Sequence, residues 1–179
     1  MSDSISDALV FFGATGDLAY KQIFPALQGL VRDEGIDVPI VGFAKAGWTL
    51  DQFRARTRDS LQHSRCYAEA DFARLLKLLN YVDGDYNDPS TFDLLKKAVG
   101  SARRPLHYLA IPPALFGVVG AALAKAGLNE NARLVVEKPF GRDRESARAL
   151  NRTLRQHFPE DAIFRIDHYL GKEPVQNIV

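Results

Sequence analysis

The densest gathering of reactive side chains is the run R-I-D-H-Y-L-G-K at residues 165–172, where an acid, an imidazole, a phenol and an amine fall within six positions. A stretch so rich in polar and turn residues makes a poor strand and a poor helix interior. His168, Tyr169 and Lys172 are suited to converge on one anion, such as a phosphate, through charge-assisted hydrogen bonds. Asp167 neighbours His168 and on an extended backbone faces the other way, so it serves a different partner. The competing reading is a polar surface loop.

A second signature lies near the other end. Residues 13–19 read G-A-T-G-D-L-A, with small residues at Gly13, Gly16 and Ala19, a relative of the dinucleotide fingerprint. Gly13 permits a tight turn, Gly16 lets backbone N–H groups approach a pyrophosphate, and Ala19 lets the next helix pack closely on a sheet. The positive end of that helix then faces the phosphates. Thr15 stands where a middle glycine is usual, and a small-residue turn with no ligand is the alternative.

The elements that must position these groups follow from the apolar pattern. Residues 9–12 form a continuous apolar run, as expected of a parallel strand buried on both faces. Further strands are predicted at 39–43, 80–85, 106–111, 132–137 and 162–166. The helix after the glycine turn runs to about Arg32, with Gly35 beyond its end and Pro25 inside it, which predicts a kink. Other helices are predicted at 50–61 with Thr49 as cap, at 71–79, from Asp88 and Pro89 to Val99, after the strand-ending Pro112 and Pro113 through Lys125, and at 143–157. Strands alternating with helices give an α/β class, a doubly wound parallel six-stranded sheet of order 3-2-1-4-5-6, the Rossmann-type dinucleotide-binding arrangement.

In such sheets ligands gather past the carboxyl ends of the strands. The polar groups there are Thr15, Asp17, Lys45, Asp85, Glu137, Lys138, and finally Asp167, His168, Tyr169 and Lys172. His107 falls at the start of its strand, on the opposite edge, and reads as structural. Asp33, Glu34 and Asp37 lie at the right count from the glycines to hold a ribose 2′-hydroxyl but precede the second strand. Ala44, Lys45 and Ala46 follow it, and a cation without an adjacent acid suits a 2′-phosphate, favouring NADP. A solvated loop lysine is the alternative.

Composition bounds the rest. A chain of 179 residues, 46% hydrophobic and 25% charged, fits one globular domain with a sizeable core. A net charge of +1 with scattered basic residues gives no reason to expect a nucleic-acid or membrane partner. The single cysteine, Cys66, excludes an internal disulfide, and no signal segment or long apolar run is evident, so a reducing cytoplasmic setting is the simplest assignment. His63 and Cys66 lack a second ligand pair nearby, and no metal is expected.

The D-H-Y-L-G-K run, together with G-A-T-G-D-L-A and V-V-E-K-P-F-G-R-D, resembles the glucose-6-phosphate dehydrogenase family, in register from Gly13 to Val179. The resemblance implies oxidation of glucose 6-phosphate at C1 to 6-phosphogluconolactone, with hydride passing to NADP or, in some members, NAD. By position, Gly13, Ala14, Thr15, Gly16, Asp17 and Leu18 would form the coenzyme's diphosphate turn. Lys45 falls where many members carry an arginine on the 2′-phosphate, keeping the charge without the bidentate fork. Asp85 and Tyr86 match positions beside the coenzyme, and Pro112 and Pro113 match paired prolines near the nicotinamide. Phe116 departs from a tyrosine found in some members.

Lys138 resembles the lysine that bridges coenzyme and sugar, and the Lys138–Pro139 bond is a place to look for a cis peptide. His168, Tyr169 and Lys172 resemble the sugar-phosphate binders. Asp167 and Lys172 are the catalytic candidates, Asp167 resembling the carboxylate that orients a general-base histidine. That histidine belongs later in the family's chain. The implied organisation is a dinucleotide-binding domain over residues 1–170, with 171–179 starting a substrate and dimerisation domain through which the parent would form a homo-oligomer. Negligible turnover by these residues alone is the expectation. Two other readings stay open: a sugar oxidoreductase of the glucose–fructose oxidoreductase type, which shares an E-K-P run, and a non-catalytic nucleotide-binding module.

Overall fold

The apolar run near the amino terminus forms β1 (Ala8–Phe12), the centre of a parallel sheet. A computed structural model of the chain describes residues 6–166. The remaining strands are β2 (Ile40–Ala44), β3 (Leu79–Asp83), β4 (Pro105–Leu109), β5 (Arg133–Glu137) and β6 (Ile163–Ile166), in the order β3-β2-β1-β4-β5-β6. All five pairings are parallel. The expected class and strand order are therefore observed. The expected boundary at residue 170 lies outside the described residues.

Helices α1 (Phe24–Asp33), α2 (Leu50–His63), α3 (Glu69–Leu78), α4 (Pro89–Val99), α5 (Phe116–Lys125) and α6 (Arg144–Arg155) connect the strands. Local chemistry sets several starts. Thr49 caps α2 through a reciprocal box with Gln52, Asp88 caps α4 ahead of Pro89, and Asp143 caps α6 through Ser146. The kink expected at Pro25 takes another form. The helix is continuous over residues 17–33 but contains a π-helical turn at Ala19–Ile23, and Pro25 sits in the first turn of the α-helical part that follows. Proline has no N–H to return to the preceding turn, so the wider turn ends where the proline begins.

Burial on both faces of the sheet produces two cores. One gathers Val10, Phe12, Phe43, Phe92 and Val119, and the other Phe11, Phe24, Ile40, Phe53 and Phe72. Gly42 in β2 is a point of close approach between layers: an added Cβ would meet Phe53 Cζ at 2.5 Å. The Phe53 ring fills that gap and stacks on Tyr81 at 4.8 Å between centroids. A largely apolar cavity of about 1030 Å³ lies between α1 and the sheet, lined by residues such as Leu27, Leu30, Leu106 and Val135. Ala8, Ile40 and Arg133, at the amino ends of their strands, also line it, so it stands away from the carboxyl edge where nucleotides bind. No helix among the described residues is long and apolar enough to cross a membrane.

Candidate coenzyme site

Where β1 ends, Gly13 turns the chain with φ +76°, a left-handed conformation that favours glycine. The space is as restrictive as the angle, because a Cβ there would sit 2.2 Å from the Ala110 carbonyl oxygen just past β4. The turn is tied to its neighbours by hydrogen bonds. Gly13 and Ala14 N–H both donate to Phe43 O, at 2.9 and 3.3 Å, and Gly16 N–H donates to Gly13 O at 2.9 Å. Ala14 is fully buried and adds its methyl to the core, as does Ala19.

These bonds divide the six residues expected at the diphosphate turn. Gly13, Ala14 and Gly16 spend their amides on shaping it, whereas the amides of Thr15, Asp17 and Leu18 have no backbone acceptor among the described residues. The helix begins at residue 17, so its first-turn donors and positive end face outward here. Such an arrangement fits a pyrophosphate. The Asp17 side chain is exposed and pairs with Lys21 at 3.3 Å within the first turns of the helix.

Tyr86 contributes more than adjacency. Its hydroxyl accepts from Gly13 N–H at 2.9 Å and donates to Phe43 O at 3.0 Å, bolting the glycine turn to the ends of β2 and β3. Its ring packs against Phe12 and Phe43. Burial pushes its pKa up to about 12, so it stays a neutral donor. Tyr86→Phe is expected to cost about 1 kcal/mol of stability, the usual worth of such a hydrogen bond. Coenzyme affinity should fall further than stability does, which urea unfolding and dinucleotide titration of the same preparation would compare.

Past β2, the loop that would meet the adenosine ribose is ordered by Asp83. One of its oxygens accepts from the amides of Ala46, Gly47 and Trp48, at 2.9, 2.8 and 3.3 Å, and from the Tyr81 hydroxyl at 2.8 Å. Partial burial opposes its charge, but these donors outweigh it and hold the carboxyl below its ordinary pKa. The sequence reading missed this role. The signal for it was present, since Tyr81 and Asp83 are two apart on one strand and so share a face.

Lys45 does not stand alone. The acid absent from its sequence neighbourhood arrives from the loop after β3, where Asp85 Oδ2 accepts from Lys45 Nζ at 2.7 Å. That contact raises the lysine's pKa, and with the Asn87 donors it holds the Asp85 carboxyl well below the usual range. Glycine turn, Lys45, Asp85 and Tyr86 thus form one connected group at the carboxyl edge of β1, β2 and β3.

Lys138 is exposed, past the end of β5, two strands from β1, and the Lys138–Pro139 peptide is cis. The preceding Glu137 accepts from the Tyr108 hydroxyl. Pro112 and Pro113 lead into a short 3-10 turn at Pro113–Leu115, and Phe116 is buried at the start of α5. His107, expected at the start of its strand, is instead the middle residue of β4, where it is buried with Nε2 on the Leu128 carbonyl. Asp167, His168, Tyr169 and Lys172 lie outside the described residues.

Comparison with known proteins adds to this geometry. A family model described as "Glucose-6-phosphate dehydrogenase, NAD binding domain" matches residues 10–177. The chain is 46% identical over 170 residues to glucose-6-phosphate 1-dehydrogenase 1 of Mycobacterium tuberculosis, an alignment covering 95% of this chain and 36% of that protein. It is 37% identical over 174 residues to glucose-6-phosphate 1-dehydrogenase of Borreliella burgdorferi, again with 95% and 36% covered. The crystal structure of glucose-6-phosphate 1-dehydrogenase from Mycobacterium avium superposes with a TM-score of 0.90 at 47% identity, over 97% of this chain and 38% of that one. A glucose-6-phosphate dehydrogenase in complex with its substrate glucose-6-phosphate superposes with a TM-score of 0.87 at 34% identity, over 99% and 40%. The chain spans a little over a third of the length of the curated relatives it matches.

Proposed function

The chain belongs to the glucose-6-phosphate dehydrogenase family, and from that premise we propose that it supplies the coenzyme site and part of the sugar-phosphate site for oxidation of glucose 6-phosphate at C1. The product is 6-phosphogluconolactone. NADP, when bound, supplies the hydride acceptor. The amides of Thr15, Asp17 and Leu18 hold the diphosphate, with Gly13, Ala14 and Gly16 shaping the turn and Tyr86 fixing it. Lys45 neutralises the 2′-phosphate as a point charge, without the two-pronged grip of an arginine, so NAD remains a usable coenzyme.

Lys138 orients the sugar against the coenzyme, while His168, Tyr169 and Lys172 take its phosphate. Asp167 orients a general-base histidine further along the family's chain, and stabilises the imidazolium formed as that base removes the C1 hydroxyl proton. The parent protein is a homo-oligomer. The observation that carries this reading is the family match over residues 10–177, which takes in every one of these positions.

Two measurements test it. Titration of the 179-residue chain with NADP should give saturable binding, and absence of binding would remove the coenzyme reading. Reduction of NADP should then be compared with glucose 6-phosphate and with glucose. The phosphorylated sugar alone should support turnover in a chain carrying the downstream histidine, and the 179 residues alone should give negligible turnover. Equal rates with both sugars would favour the glucose–fructose oxidoreductase type.

A further inference from the structure

The Asp85 carboxylate is held at both oxygens. Oδ1 accepts from the Asn87 N–H at 2.8 Å and from Asn87 Nδ2 at 2.9 Å, and Oδ2 accepts from Lys45 Nζ at 2.7 Å. The two partners differ in freedom. The Asn87 clamp is local and fixes the acid, whereas the lysine side chain is 70% exposed on a flexible stem and Asp85 is only 36% exposed. The acid stays while the cation can move.

Sheets of this topology discriminate between the two nicotinamide coenzymes past β2, using an acid for the 2′-hydroxyl of NAD and a cation for the 2′-phosphate of NADP. Here one of each stands in contact at that place. Building on the coenzyme reading above, we propose that Asp85 determines coenzyme specificity, its Oδ2 accepting the 2′-hydroxyl of NAD and competing with the 2′-phosphate of NADP for Lys45. A 2′-phosphate draws Lys45 away from Asp85 and then lies beside a fixed negative charge. A 2′-hydroxyl instead donates to that charge and leaves Lys45 where it is. The pair therefore narrows the gap between the coenzymes, and the charge on Asp85 sets how far.

The test uses the only tryptophan of the chain, Trp48, which is half-buried three residues after Lys45. Its emission reports titrations with NADP, NAD, 2′,5′-ADP and 5′-AMP. The last two isolate the adenosine half, so the comparison does not depend on turnover. Asp85→Asn keeps the shape and removes the charge; Asp85→Ser removes the charge with a smaller side chain. Both should raise the NADP-to-NAD affinity ratio about tenfold, the order expected of one like-charge contact near the surface, with 2′,5′-ADP gaining on 5′-AMP likewise. An unchanged ratio in both variants would overturn the inference and leave Asp85 as loop support. Failure of the unaltered chain to bind either dinucleotide would instead remove the coenzyme reading itself.

Discussion

Gly13→Ala is expected to cost about 2–5 kcal/mol of folding stability, a large share of the 5–15 kcal/mol that holds a typical domain together. Two effects add. A left-handed backbone angle costs an L-residue with a Cβ about 1–2 kcal/mol, and Gly13 has φ +76°. The new methyl would also lie 2.2 Å from the Ala110 carbonyl oxygen. A carbonyl in the backbone cannot swing aside as a side chain can, so β1 and β4 must move apart, adding about 1–3 kcal/mol or more. Urea unfolding followed by circular dichroism measures the loss directly. A cost below about 1 kcal/mol would show that the turn is held less tightly than its geometry implies. Gly16→Ala is the contrasting variant. Its φ is not left-handed and its Cβ would lie 3.2 Å from Gly13 O, so the fold should persist while the diphosphate is crowded.

The second large effect is a loss of stability in mild acid, traceable to one side chain. His107 has no exposed surface, and its Nε2 lies 2.7 Å from Leu128 O. A carbonyl only accepts, so Nε2 carries a proton, and Nδ1 is buried with no hydrogen-bond partner, which favours the neutral ring. Burial pulls its pKa down from 6.5 to about 4, outweighing the hydrogen bond to Leu128, which acts the other way. The unfolded chain takes up a proton near the ordinary value, while the folded chain resists until about 4. Stability from this residue is therefore intact above pH 6.5, declines as pH falls below it, and is lost by about pH 4. The full loss is about 3 kcal/mol, at about 1.4 kcal/mol for each pH unit separating the two states. Urea unfolding across this range should show the decline, and His107→Leu should flatten it while lowering stability at neutral pH. An unaltered slope in the variant would assign the acid sensitivity elsewhere.

Much of this architecture is legible from residue types alone, because a strand covered on both faces must be apolar throughout. That is why residues 9–12 are unambiguous, and why parallel order follows once helices are seen to alternate with strands. Strand ends are harder to read. Residues 106–111 look like one strand, yet β4 stops at Leu109, where the chain turns aside beneath the glycine loop. The π-helical turn was likewise hidden, since an apolar stripe of helical spacing does not distinguish a wider turn from a regular one. In the site, the glycines and Lys45 announce themselves through local spacing. Asp85 is also legible as a polar group just past its strand, but its pairing with Lys45 and the bonds of Tyr86 are not, because those partners lie 40 and 73 residues away in sequence. Only the sheet brings them together.

One consequence of the contact between Gly42 and Phe53 concerns evolvability. Because the phenyl ring drops into the space a side chain would occupy, and is gripped there by Phe11, Phe24 and Tyr81, helix α2 is anchored from below. The intervening residues 45–47 carry none of that anchorage and are exposed. A lineage can therefore exchange the side chains at 45 and 46 without renegotiating the fold beneath them, whereas Gly47, at φ +68°, keeps the loop's turn.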